Sequence, residues 1–247
     1  MATSPEQGIG SGAGTGDGVT DVLPGFNLRS IPVGDGVVIS VHTAGRGPAV
    51  LLMHGYPQTS SAWHAVAPRL AERFTVVAPD LRDYGDSSRP ASDESQAAYS
   101  KRRMALDQVE VMRQLGHPRF AVVGHDRGGR VAHRMARDHA GAVERVAILD
   151  IAPTATMYAR TDREFATRYF WWFFLIQPNG LPERLIGHDV EFFLREQSIA
   201  GAEPNARRAG GGVGAGIPPL DADRGRCPRR LRGLPRRGGH RPGARHR

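Results

Sequence analysis

Gly124-His125-Asp126-Arg127-Gly128-Gly129-Arg130 is the stretch that decides how this chain folds. The residues before it, Arg119-Phe-Ala-Val-Val-Gly124, have the pattern of a short buried strand, and Gly129 to Ala140 have that of a helix. Between them the chain must turn sharply with a carboxylate at the tip. Glycines stand two residues before the aspartate, two after it and three after it. A Cβ at those places would strike the neighbouring strand or helix, so the spacing predicts a tight elbow. Such an elbow lifts one side chain above a sheet, clear of its own backbone. Asp126 at that point is a nucleophile or a helix cap, since aspartate is favourable at a helix N-terminus. The glycine pattern around it favours the nucleophile.

Outward from the elbow, strands and helices alternate. Val37 to His42 alternates like a strand after the turn Gly34-Asp-Gly36. Ala49-Val-Leu-Leu-Met53 is a continuous apolar run, as in a parallel strand buried on both faces, and it stops at His54-Gly55. Ser60 or Ser61 can cap a helix carrying Trp63, Val66, Leu70 and Ala71. Phe74 to Ala78 is a further strand, ending at Pro79-Asp80. The segment Ser92 to Leu115 is helical in character, with Ala105, Val109, Met112 and Leu115 recurring at spacings of three and four. Val146 to Leu149 is the next strand and ends at Asp150. This order predicts an α/β fold with a parallel sheet, whose site lies at the C-terminal edge of the strands. His54, Asp80, Asp126 and Asp150 all fall on that edge. From about Pro153 the pattern changes: Glu164 to Ile176 is rich in aromatics and Leu181 to Gln197 is helical in character, as in a cap over the sheet.

Length and composition set bounds on function. The 247 residues suit one α/β domain with an insertion, and 40% apolar residues are enough for a core. A single cysteine, Cys227, excludes a disulfide framework and a cysteine-based metal site. The longest apolar run, Phe170 to Ile176, is too short to span a bilayer, and no basic-then-apolar leader opens the chain. A soluble cytoplasmic protein is the expectation, with no membrane partner.

The net charge of +8 suggests nucleic acid until it is located. Residues 206–247 hold 12 Arg and 2 acidic residues, so the rest of the chain carries −2. That tail has 10 Gly, 5 Pro, no Lys and no aromatic residue, and it predicts disorder. It is either an Arg/Gly-rich arm or the product of a shifted reading frame in a GC-rich gene. Nucleic-acid arms interleave aromatics or repeat a short unit, and this one does neither. The whole chain has 1 Lys (Lys101) against 32 Arg, which suits such a genome. The shifted frame is therefore the expectation, and no nucleic-acid partner is expected.

The elbow, His54-Gly-Tyr-Pro-Gln58, Val77-Ala-Pro-Asp-Leu-Arg82 and Ile148-Leu-Asp-Ile-Ala-Pro-Thr154 together resemble the α/β-hydrolase superfamily. Within it the chain is most similar to the haloacetate (fluoroacetate) dehalogenases, over roughly residues 24 to 200. The resemblance implies an α/β-hydrolase fold with a parallel-rich sheet and a partial helical cap. It implies segments at 1–23 (flexible), 24–154 (core), 155–203 (cap) and 204–247 (disordered tail). It also implies the chemistry. Asp126 attacks a saturated carbon, displacing halide or opening an epoxide, and a histidine-activated water then hydrolyses the ester. The backbone N–H groups of Tyr56 and Arg127 form the oxyanion hole, and Asp150 orients the histidine.

Arg127 and Arg130 match the Asp-Arg-x-x-Arg of haloacetate dehalogenases, where they grip the substrate carboxylate. Arginine in a first helical turn is electrostatically unfavourable, so two of them there need a ligand unless solvent screens both. Trp171 and Trp172 stand where the family binds halide with a His-Trp pair. Trp172 matches, Trp171 replaces the His, and plain aromatic core is the competing reading. Asp150 could equally cap a turn.

His54, His64, His125 and His133 are expected to be structural. The base should follow the last strand, where only His240 and His246 stand, both within the tail. The expectation is therefore a dehalogenase whose C-terminal third is lost or scrambled. The final two strands and the third halide ligand would be missing with it, and turnover impaired. No metal and no organic cofactor are implied. The expected partner is a small haloacid, and the resemblance allows a homodimer for the intact parent. Two alternatives stay open. One is an epoxide hydrolase, for which Tyr158 and Tyr169 are the available cap phenols. The other is a non-catalytic remnant.

Overall fold

The computed structural model describes residues 23–91 and 95–200, the side chains of 197–200 excepted. The expected flexible segment before Leu23, the tail from 204 onward and both tail histidines lie outside the described residues.

Six strands form one sheet: β1 (Asn27–Pro32), β2 (Val38–Ala44), β3 (Ala49–Met53), β4 (Thr75–Pro79), β5 (Phe120–His125) and β6 (Val143–Leu149). Their order is β1-β2-β4-β3-β5-β6. β3 runs parallel to β4 and β5, and β5 parallel to β6, while β1, β2 and β4 pair antiparallel. The parallel part puts the ends of β3, β4, β5 and β6 on one edge, as the alternation of elements predicts.

Both faces of the sheet centre are covered. Leu51 and Met53 on one face of β3 join Ile39, Val41 and Val77 against Met104, Ala105, Met112, Val131 and Met135. Val50 and Leu52, on the other face, join Val76 and Ala78 against Leu23, Trp63 and Ala67. The unbroken apolar run of β3 follows from this two-sided burial. Each fully buried Leu or Met contributes about 1.5–3 kcal/mol. The first face is covered by α2 (Lys101–Gln114) and α3 (Arg127–Asp138), which pack on each other. β6, at the sheet edge, is largely exposed.

Several local expectations need correction. β1 was not anticipated. Asn27-Leu-Arg-Ser-Ile-Pro32 has no period-2 apolar pattern, and it forms a strand because β2 offers it a free edge. Neither Ser60 nor Ser61 caps a long helix. Thr59 accepts the Ser61 N–H and opens a 3-10 turn over Ser60–Trp63, and α1 (Ala67–Ala71) begins separately around Pro68. The helix expected over Ser92 to Leu115 starts only at Lys101, where the Ser100 hydroxyl accepts the Arg103 N–H at 3.2 Å. Its apolar face is the predicted one, with Ala105 and Met112 buried and Val109 and Leu115 packed beside them.

The cap is more broken than its sequence pattern implies. It holds α4 (Thr154–Ala159), α5 (Arg163–Arg168), α6 (Phe170–Phe174), α7 (Leu181–Ile186) and α8 (Val190–Ala200). Asp162 caps α5, and Asn179 and Gly180 turn the chain with positive φ before α7. Leu175, Ile186 and Phe193 form a small core of its own, on which Tyr56 and Trp171 pack. No helix among the described residues is long and apolar enough to cross a membrane.

Candidate active site

Asp126 stands between β5 and α3 with φ 45° and ψ −111°, a backbone conformation that a non-glycine residue adopts only under constraint. Three glycines make the constraint possible. A Cβ on Gly124 would stand 2.6 Å from the Gly129 nitrogen, one on Gly128 2.6 Å from the His54 carbonyl oxygen, and one on Gly129 2.6 Å from the Ile151 Cγ2. Each glycine inferred from the elbow pattern thus sits where no other residue fits. The Gly128 N–H donates to the His54 carbonyl at 3.0 Å and the Asp126 N–H to that of Leu149 at 3.2 Å, so the elbow is tied to the ends of both neighbouring strands.

The Asp126 side chain makes no capping bond to α3. Its Oδ2 instead accepts the Tyr56 backbone N–H at 3.0 Å. The loop after β3 comes this close because Gly55 has no side chain, since a Cβ there would lie 2.7 Å from that of Asp126. The helix-cap reading of Asp126 fails on this geometry. The Tyr56 donor is in place for an oxygen on the Asp126 carboxyl group.

His54 and Asp80, at the same edge, hold loops. His54 Nε2 accepts the Leu81 N–H at 3.0 Å, which leaves the proton on Nδ1 to donate to the Gly55 carbonyl at 2.8 Å. Asp80 is buried and accepts the Ser60 N–H at 2.7 Å and the Asp86 N–H at 3.1 Å. His125 Nδ1 lies 3.1 Å from Gln58 Oε1, which also accepts the Gly55 N–H. Among the described residues no histidine hydrogen-bonds to Asp126 or Asp150. Asp150 is exposed just beyond β6 with φ 50°.

Arg127 and Arg130 open α3 beside Asp126. The Arg127 guanidinium lies between two rings, 5.7 Å from the centre of Tyr56 and 5.9 Å from that of Tyr84. Burial opposes its charge, but Tyr84, Asp126, Tyr56 and Asp83 hold it above its ordinary range. Arg130 is 9% exposed. Its guanidinium carbon sits 3.5 Å from the centre of the Trp172 ring, and its Nη2 lies 3.5 Å from the Met157 sulfur. Its Nε has no hydrogen-bond partner. Burial pushes Arg130 down to about 10; Asp126 works against that shift and Arg127 adds to it.

The two tryptophans therefore part company. Trp172 covers Arg130 and packs near Tyr158, whereas Trp171 turns to Phe170 and Phe193 within the cap. Tyr84 and Met157 complete the surroundings of the arginines, and sequence reasoning missed both. Tyr84 falls in the irregular stretch after β4, where no periodicity marks a buried ring. No group of three or more His, Cys, Asp or Glu among the described residues could hold a metal ion.

Residues 48–183 match the family defined by the alpha/beta hydrolase fold, and the chain belongs to that family. It is 52% identical over 172 residues to a fluoroacetate dehalogenase of Burkholderia sp, a match covering 70% of this chain and 56% of that protein. It is 47% identical over 111 residues to a soluble epoxide hydrolase of Corynebacterium sp. (strain C12), covering 45% of this chain and 37% of the relative. Among solved structures, an α/β hydrolase from Nostoc sp PCC 7120 superposes with a TM-score of 0.71 at 55% identity, covering 74% of this chain and 62% of the other. In each case the chain spans less than two thirds of its relative's length.

Proposed function

We infer that this chain carries the nucleophile and substrate-anion site of a hydrolase that cleaves the carbon–halogen bond of short haloacids. The observation that carries the reading is Arg130. A guanidinium this buried, with no carboxylate bound to it among the described residues, stands next to the nucleophile elbow. A buried charge without a partner is costly, and a substrate carboxylate would offset that cost. The named activity of the Burkholderia relative agrees with this.

In this reading the Asp126 carboxylate attacks the carbon bearing the halogen. The C–O bond forms as the C–X bond breaks, and halide leaves with the bonding pair. Arg127 and Arg130 hold the substrate carboxylate and so orient that carbon. Trp172 lies over Arg130 on the cap side, where its ring N–H can face the leaving halide, while Trp171 packs within the cap. The Tyr56 N–H, with that of Arg127, stabilises the oxyanion when water attacks the ester. That second step needs a base oriented by Asp150. None of the described histidines is hydrogen-bonded to Asp126 or Asp150.

A second reading has one observation in its favour. Tyr158 is half-buried with its ring 5.8 Å from that of Trp172, and burial holds its phenol protonated, partly offset by Arg130. Such a phenol could protonate the alkoxide of an opening epoxide.

Calorimetry separates charge from shape. Chloroacetate should bind more tightly than chloroethane, and Arg130→Leu should cost about 1.5–3 kcal/mol of chloroacetate binding, the range for a hydrogen bond to a charged group. Equal binding of the two ligands would remove the haloacid reading.

A further inference from the structure

The sulfur of Met157 stands against the Arg130 guanidinium. Nη2 donates to it at 3.5 Å, while the guanidinium carbon lies over Trp172. Met157 belongs to α4 and Trp172 to α6, so the cap meets Arg130 through a thioether and a ring. The Met157 backbone is fixed, because its carbonyl accepts the Arg160 N–H at 3.3 Å and the Thr161 hydroxyl at 3.0 Å, closing α4. The sequence has 6 methionines. Met53, Met104, Met112 and Met135 lie in the core, each at most 1% exposed. Met157 is only partly buried. Among the described methionines it is therefore the one that a small solute reaches from water, and its sulfur is the one bonded to a buried cation beside the nucleophile elbow.

We propose that Met157 is a redox-sensitive modification site: peroxide converts it to the sulfoxide, whose oxygen then occupies Arg130 and closes the anion subsite. The proposal rests on the reading of Arg130 as a carboxylate-binding group. The sulfur lone pair attacks one oxygen of hydrogen peroxide and the S–O bond forms as the O–O bond breaks. The other oxygen leaves as water, taking up the proton of the first, so sulfur is oxidised and peroxide reduced. The change in acceptor strength is what matters. A thioether sulfur is a weak acceptor, so Met157 holds the guanidinium loosely and yields its N–H to an arriving carboxylate. A sulfoxide oxygen is a strong, polar acceptor at the same place. It is tethered by α4, so its effective concentration at Arg130 is high, whereas a substrate carboxylate must come from solution. The two then compete for one donor. Asp126 is untouched, so binding changes and the nucleophile does not. Methionine sulfoxide reductases return the sulfoxide to the thioether, which makes the change reversible.

The test measures acetate binding by calorimetry before and after the 247-residue chain is treated with dilute hydrogen peroxide. Peptide mapping should find sulfoxide at Met157 ahead of Met53, Met104, Met112 and Met135. Acetate affinity should then fall roughly ten- to hundredfold, the worth of a hydrogen bond to a charged group. Methionine sulfoxide reductases A and B should restore it. Met157→Leu keeps an apolar side chain of similar size without the sulfur, so peroxide should leave its acetate affinity where it started. Oxidation at Cys227 or Met1 would act on both chains alike. Met157→Gln, with an amide oxygen on the side chain, should bind acetate weakly without any peroxide. Oxidation of Met157 no faster than that of the core methionines would overturn the proposal. So would unchanged acetate binding once Met157 is oxidised, or an equal loss in Met157→Leu. If the untreated chain binds no acetate, the carboxylate reading of Arg130 fails and the closing of the subsite fails with it. Selective sulfoxide at Met157 would in that case still support the modification site, and its absence would refute it.

Discussion

The Arg130 guanidinium carbon lies over Trp172, 3.5 Å from its ring centre, so one side chain joins the elbow helix to the cap. The contact serves two ends. It covers a buried cation with a polarisable ring, and it places the cap over the Asp126 edge of the sheet. Trp172→Leu should therefore weaken chloroacetate binding and loosen the cap together. A desolvated cation–π contact is worth about 2 kcal/mol, which sets the expected loss in affinity. Calorimetry and limited proteolysis within residues 154–200 read the two effects. Lost affinity with unchanged cap protection would separate them.

The elbow glycines give a sharper structural test. A Cβ on Gly128 meets the backbone oxygens of Met53 and His54, which the sheet holds in place, whereas one on Gly141 meets nothing within 4 Å. Gly128→Ala should destabilise the fold by about 1–3 kcal/mol or more through overpacking. Gly141→Ala should be close to neutral. Denaturant unfolding of both variants checks this, and equal midpoints would show that the elbow is not under steric constraint.

Arg82 and Asp107 form a buried pair at 2.7 Å, with side chains 2% and 0% exposed. The guanidinium gives two hydrogen bonds to the carboxylate, at 2.8 and 2.7 Å. Desolvation nevertheless raises the Asp107 pKa, against the bonds and charges of Arg82 and Arg103. Removing the charge from one side leaves the other uncompensated. Asp107→Asn should cost about 3–5 kcal/mol by thermal or chemical unfolding. A loss below 1 kcal/mol would mean that Arg82 finds another partner.

How far the sequence was legible depended on how local each cause was. Gly124, Gly128 and Gly129 were readable because one sharp turn demands all three within a few residues. The apolar run of β3 was readable because burial on both faces leaves no polar position. β1 was not, since Arg29 and Pro32 disguise an edge strand that exists only through pairing with β2. The start of α2 was misplaced because several serines precede it, and the bond that caps the helix is made by Ser100. In the site, Asp126, Arg127, Arg130 and Trp172 were legible from motif and charge. Tyr84 and Met157 were not, because their contacts with the arginines are brought in from distant segments.

Tyr158 discriminates the two chemistries. A phenol that donates to an opening epoxide is dispensable when halide is the leaving group. Tyr158→Phe should leave chloroacetate alkylation of Asp126 within about twofold. It should lower any epoxide opening by about 10²-fold or more, the scale of general acid catalysis. Single-turnover rates with chloroacetate and with glycidol make the comparison. A large loss with chloroacetate would assign Tyr158 to the dehalogenation site instead.

Intact-mass spectrometry after incubation with bromoacetate or chloroacetate tests the central claim most directly. The account predicts one added glycolyl group per chain, located on Asp126 by peptide mapping, with halide released in equal amount. Asp126→Asn should abolish both. The lifetime of the ester then reads whether a base reaches it, since general-base catalysis supplies about 10²–10⁴-fold. An unmodified Asp126 with no halide released would contradict the account.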